Sequence, residues 1–83
     1  MLNLGIKCSA RPGTTLPPRE LQVLDLASHG LTDAAIAKRL YVTPNTVKTH
    51  MRALLVRLDA RNRTHAVRCG FELGLLTANE VTS

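Results

Sequence analysis

Apolar residues recur along most of this chain at the three- and four-residue spacing of helices, and four such segments stand out. The first covers 18–28, where Leu21, Val23, Leu24 and Ala27 make an apolar stripe that reaches Ser28. Pro17 and Pro18 suit a first turn, in which a missing amide proton costs nothing, and Glu20 sets a carboxylate near the exposed amides. Gly30 marks the stop. The second segment covers 33–40, with Thr32 as N-cap, Ala35, Ile36 and Leu40 facing inward, and Lys38 and Arg39 outward. Ala34, Ala35 and Ala37 allow a close approach by another helix. Only Tyr41 and Val42 separate it from Thr43 and Pro44, an N-cap and first helical position that open a third helix over 44–58. In that helix Val47, His50, Met51, Leu54, Leu55 and Leu58 form one broad face, and Asn45, Lys48, Thr49 and Arg52 the opposite one. A fourth helix, starting at 63 or 64 and running to 75, carries Ala66, Val67, Gly70, Phe71 and Leu73. Gly70 costs that helix up to about 1 kcal/mol relative to Ala, and a close neighbour that leaves no room for a side chain accounts for it.

The expected fold class is therefore all-α: a compact four-helix domain over 16–76 containing a helix-turn-helix. A flexible N-terminal extension is expected over 1–15 and a frayed tail over 77–83. Leu2, Leu4 and Ile6 alternate, which allows a short strand or a docking arm within the extension. With 83 residues the hydrophobic core is small, and the only aromatic residues are Tyr41 and Phe71.

Charge sharpens the picture more than composition does. The formal net charge is +5, but Lys38, Arg39, Lys48, Arg52, Arg57, Arg61, Arg63 and Arg68 share their stretch with Asp59 alone, so the excess falls on the second half of the domain. Basic protein surfaces attract nucleic acid, anionic lipid or acidic proteins. A short helix, a tight link and a groove-sized second helix with a polar outer face select double-stranded DNA among these. Asn45, Lys48, Thr49 and Arg52 are the candidates for contact with base edges. Asn pairs with adenine, Arg and Lys with guanine, and a Thr methyl touches thymine. Lys38, Arg39, Thr43, Thr46, Arg57 and Arg61 are the candidates for phosphate contact, helped by the helix starts.

Other chemistry finds little support. Cys8 and Cys69 form no CxxC or Cys/His cluster, and His29, His50 and His65 have no metal-ligand spacing, so neither a metal nor another cofactor is expected. Free thiols fit a reducing, cytoplasmic setting. No stretch approaches the roughly 20 apolar residues of a membrane span. There is no glycine-rich phosphate loop or paired-carboxylate motif, and an enzyme is not expected. His50 is given a structural hydrogen-bonding role rather than a catalytic one.

The order of residues is also familiar. Leu16-Pro17-Pro18-Arg19-Glu20-Leu21, Ile36-Ala37-Lys38-Arg39-Leu40, Val42-Thr43-Pro44-Asn45-Thr46-Val47-Lys48-Thr49-His50, Asn62-Arg63, Ala66-Val67 and Gly74-Leu75 together resemble the LuxR-type (GerE-like) DNA-binding domain over about 16–76. The resemblance implies that the third helix reads promoter or operator DNA through Lys48, Thr49 and Arg52, with Asn45 near the backbone or base edges. It implies a homodimer through the fourth helix, placing Ala66, Val67, Cys69, Gly70 and Phe71 in the interface. It further implies that Glu20 and Arg63 tie the first helix to the turn before the fourth. Two other assignments compete. One is the fourth region of a sigma factor, a promoter- or RNA polymerase-bound module. The other is an adaptor that keeps the fold but docks on a regulatory protein or polymerase.

Overall fold

All four segments are helical in the computed structural model, which describes residues 8–77: α1 (Pro18–Ser28), α2 (Asp33–Leu40), α3 (Pro44–Leu58) and α4 (Arg63–Glu72). The described residues contain no strand. The alternation of Leu2, Leu4 and Ile6 lies outside them. Local chemistry sets where each helix starts. Thr32 Oγ1 accepts from the Ala35 amide at 3.2 Å, Thr43 Oγ1 from the Thr46 amide at 3.2 Å, and Asn62 Oδ1 from the His65 amide at 2.9 Å. Each cap satisfies an amide that has no partner within its helix. At α1 the start falls to Pro17 and Pro18, with no side-chain cap.

The helix ends share one device. After α1, α2, α3 and α4 the chain turns left-handed at Gly30, Tyr41, Asp59 and Gly74. The next residue then folds back onto the helix: the amides of Leu31, Val42, Ala60 and Leu75 donate to the carbonyls of Leu26, Ala37, Leu55 and Gly70. These are Schellman closures, and all four returning residues are apolar and pack against the core. The closure at Gly74 also ends α4 at Glu72, earlier than the apolar pattern through 75 indicates. Leu73 and Leu75 continue the apolar spacing without being helical, because glycine makes the left-handed turn cheaply.

α1 and α3 each pack against the other three helices, whereas α2 and α4 do not pack on each other. The core is built from Val23, Leu24 and Ala27 of α1, Ile36 and Ala37 of α2, Val47, Met51, Leu54 and Leu58 of α3, and Ala66 and Cys69 of α4, closed by Leu16 and Leu76 from the flanks. Ala37 alone of the α2 alanines is buried; Ala34 is exposed. Gly70 has the close neighbour that its sequence position called for. A Cβ there would stand 2.7 Å from Leu76 Cδ1 and 3.0 Å from Leu24 Cδ2.

A branched side chain at that point must displace two leucines that are themselves enclosed. Gly70→Val should therefore destabilise the fold by about 1–3 kcal/mol. Urea unfolding followed by far-UV circular dichroism measures this, and unchanged stability would contradict the packing described.

Candidate nucleic-acid interface

The two faces of α3 have different fates. Val47, Met51, Leu54 and Leu58 are buried, and Asn45, Lys48, Thr49 and Arg52 are all exposed. From Asn45 to Arg52 the helix rises about 10 Å, so the four polar side chains occupy roughly two turns on one side. The Thr49 hydroxyl donates to the Asn45 carbonyl at 3.1 Å, which leaves its methyl group and the oxygen lone pairs for a ligand. The Asn45 side chain, Lys48 and Arg52 have no hydrogen-bond or ion-pair partner among the described residues. No acidic residue lies within α3.

Contacts elsewhere divide the basic stretch into two groups. Three arginines hold the domain together. Arg57, in the last turn of α3, donates from Nε to Glu20 Oε1 at 2.8 Å, joining it to the first turn of α1. Arg63 donates from Nη1 to Asp33 at 2.7 Å and from Nη2 to the Leu31 carbonyl at 2.6 Å. This fork links the starts of α2 and α4, which have no packing contact of their own. Arg68 pairs with Glu72 at 2.7 Å along the outside of α4, and that guanidinium holds the Glu72 carboxyl below its ordinary value. Lys38, Arg39, Lys48, Arg52 and Arg61 are exposed and have no acidic partner among the described residues.

Several sequence expectations change at this point. Glu20 and Arg63 do not meet: Glu20 takes Arg57, and Arg63 takes Asp33 and Leu31. A carboxylate on α1 was legible in the sequence, but its cation depends on the crossing of α1 and α3. Arg57 gives its Nε–H to Glu20 while half of its side-chain surface stays exposed, so it carries an internal tie that the sequence reading did not assign to it. Thr43 and Thr46 also face each other, hydroxyl to hydroxyl at 3.0 Å, while they start α3. His50 is half-buried and makes no side-chain hydrogen bond to a described residue, so packing replaces the bonding role expected of it. The buried hydrogen-bonding histidine is His65, 5% exposed, whose Nδ1 accepts the Arg61 amide at 3.0 Å, while the exposed His29 meets the Asp25 carbonyl at 2.8 Å. Its place three residues after the cap Asn62 was the available signal. On α4, Ala66, Cys69 and Gly70 are buried in the chain's own core, which leaves Val67 and Phe71 as the apolar surface of that helix. Val67 borders a shallow hollow shared with Ala27, Leu31 and Thr64.

Residues 14–69 match the family described as bacterial regulatory proteins, luxR family. The chain belongs to that family. It is 41% identical over 58 residues to the transcriptional regulatory protein LiaR of Bacillus subtilis (strain 168), an alignment covering 70% of this chain and 28% of LiaR. It is 35% identical over 77 residues to the HTH-type quorum sensing-dependent transcriptional regulator VjbR of Brucella abortus (strain 2308), covering 93% of this chain and 30% of VjbR. A putative HTH-type transcriptional regulator, Mb0914c of Mycobacterium bovis, is 41% identical over 61 residues, 74% of this chain and 7% of that protein. The chain thus spans less than a third of the length of these curated relatives. Membership of the luxR family makes this a helix-turn-helix DNA-binding regulatory domain rather than an enzyme. No described helix is long and apolar enough to cross a membrane.

The internal role of Arg57 can be separated from DNA binding. The Glu20 side chain is only 9% exposed, whereas that of Arg57 is 50% exposed, so the pair lies between the buried and surface cases. Arg57→Ala should therefore lower stability by about 1–2 kcal/mol, more than an exposed pair contributes. A double-mutant cycle with Glu20→Gln under urea should recover most of that as coupling; additivity of the two variants would disprove the tie.

Proposed function

We propose that this chain is the sequence-specific, double-stranded DNA-binding part of a transcriptional regulator, and that α3 is the helix that enters the major groove. One observation carries the proposal: Asn45, Lys48, Thr49 and Arg52 stand together on the exposed side of a helix whose other side is locked in the core. A helix about 10–12 Å across fits a major groove about 12 Å wide. Lys48 and Arg52 then reach guanine edges, Thr49 offers a methyl group to thymine, and Asn45 lies at the groove wall or an adenine edge. Lys38, Arg39 and Arg61 supply phosphate contacts, with the amide ends of α2 and α3 beside them. The Thr43 and Thr46 hydroxyls serve the helix start first. Val67 and Phe71 are the surface through which a second copy binds, setting two α3 helices on one side of the duplex. The relatives named as transcriptional regulators support this reading of the chain.

Selection of bound sites from random duplex DNA supplies the target. On that target Lys48→Ala and Arg52→Ala should each weaken binding about 5- to 100-fold, as loss of a base contact worth about 1–3 kcal/mol implies, with helical content unchanged. Lys38→Ala should act across all sequences and lower the slope of log affinity against log salt by about 0.9. Unchanged affinity in both α3 variants would refute the assignment. It would also favour a protein-docking adaptor if a partner still bound. Phe71→Lys should convert a dimeric complex to a monomeric one in sedimentation. Selected half-sites should be centred about 34–36 Å apart.

A further inference from the structure

The described chain begins against the last turns of α4. Cys8 is half-buried and packs on the core cluster that contains Cys69. Its backbone amide lies beside the Glu72 carboxylate and favours the ionised form of that group, and Cys8 shares a surface hollow with Glu72 and Leu73. Cys69 lies one turn earlier on α4 with no exposed surface, and its thiol interacts with that of Cys8. Both cysteines are free thiols. The segment between Cys8 and α1 is itself ordered by short-range bonds. The Thr14 amide and hydroxyl both donate to the Arg11 carbonyl, at 3.1 and 2.7 Å, and Leu16 is buried. Two sulfurs from opposite ends of the domain are thus neighbours, with Cys8 kept against α4 by its packing on the core and by the Glu72 carboxylate beside its amide.

We propose that Cys8 and Cys69 are a redox pair, which a low-molecular-weight disulfide oxidises to an intrachain bond fastening the segment before α1 to α4. Cys8 is the sulfur that solvent reaches. Its thiolate attacks one sulfur of oxidised glutathione, forming a mixed disulfide and releasing one glutathione thiolate. Cys69 then gives its proton to water and attacks the Cys8 sulfur, and the second glutathione thiolate departs. The two protein thiols lose two electrons and two protons; one glutathione disulfide becomes two glutathione thiols. Burial, and after it the neighbouring Cys8 thiol, push the Cys69 thiol up to about 12. The second step is therefore the slow one, and the order of attack is fixed with Cys8 first. Cys69 points into the core, so the bond leaves Val67, Phe71 and the exposed side of α3 open. The inference does not depend on the DNA-binding proposal. Its consequence is positional: Cys8 and the described segment between it and α1 are fixed to α4.

The test treats the reduced full chain with oxidised glutathione under native conditions and examines it without reductant. The intact mass should fall by about 2 Da with no glutathione retained, as a closed intrachain bond requires. Tryptic peptides 8–19 and 69–83 should be joined. The unfolding midpoint should rise by an amount on the order of 10 °C, because the bond closes a long loop of the unfolded chain. Cys8→Ser should leave Cys69 unmodified under the same treatment, and Cys69→Ala should stop at a lasting glutathione adduct on Cys8. The proposal is overturned if the wild-type chain keeps both thiols, retains glutathione on Cys8, or links only to a second chain. It is equally overturned if the bond forms but the midpoint falls, since that would mean the folded domain does not hold the sulfurs together.

Discussion

Val47, Met51, Leu54 and Leu58 are pressed into the core by α1, α2 and α4, and this burial decides which way the rest of α3 faces. Each large apolar side chain removed from water contributes about 1.5–3 kcal/mol, so rotating α3 by even part of a turn would forfeit several such terms at once. The polar residues opposite need no contact of their own to stay outside. Their direction comes from the packed side, and the tight link at Tyr41, Val42 and Thr43 sets the angle to α2. The left-handed backbone at Tyr41 is part of that angle. A non-glycine residue in this conformation costs on the order of 1 kcal/mol, which the Schellman bonds and the packing of Val42 offset.

Positive charge serves two purposes here, and position in the fold assigns each residue to one of them. Arg57 adds a polar tie between the end of α3 and the start of α1, which also pack through the core, whereas Arg63 joins the starts of α4 and α2, which the apolar core does not connect. Lys could not replace Arg63 in this way, since Arg63 uses two nitrogens of one planar fork for two acceptors. Lys38, Arg39, Lys48, Arg52 and Arg61 stand on the surface with no acidic partner among the described residues. An unpaired cation in water costs little, yet it contributes to a field that attracts a polyanion and is screened by salt. The net charge of the chain does not distinguish these two groups.

α4 also has two sides with different consequences. Ala66, Cys69 and Gly70 face inward, and their small volumes let α4 lie close to α1 and to Leu76. Val67 and Phe71 face outward at the same helical spacing. A short helix with a glycine in it is weak on its own. Here it is held by the Asn62 cap, the Arg63 fork, the His65 contact to Arg61 and the closure at Gly74. The inward side also brings Cys69 to Cys8, a proximity that no local pattern announces.

The sequence by itself determined the helices and the contrast between the two faces of α3. The starts and ends of α1, α2 and α3 were legible because Pro18, Thr32, Thr43-Pro44 and Gly30 act through their own backbone and nearest neighbours. The buried and exposed sides of α3 follow from 3.6-residue geometry, which is local too. Only the tertiary structure decided which charge meets which. It gave Glu20 to Arg57 rather than Arg63, paired Arg63 with Asp33, and placed Cys8 beside Cys69. Each of these contacts joins residues far apart in the chain, and what sets them is the angle at which packed helices cross, a quantity that spacing along one helix does not contain.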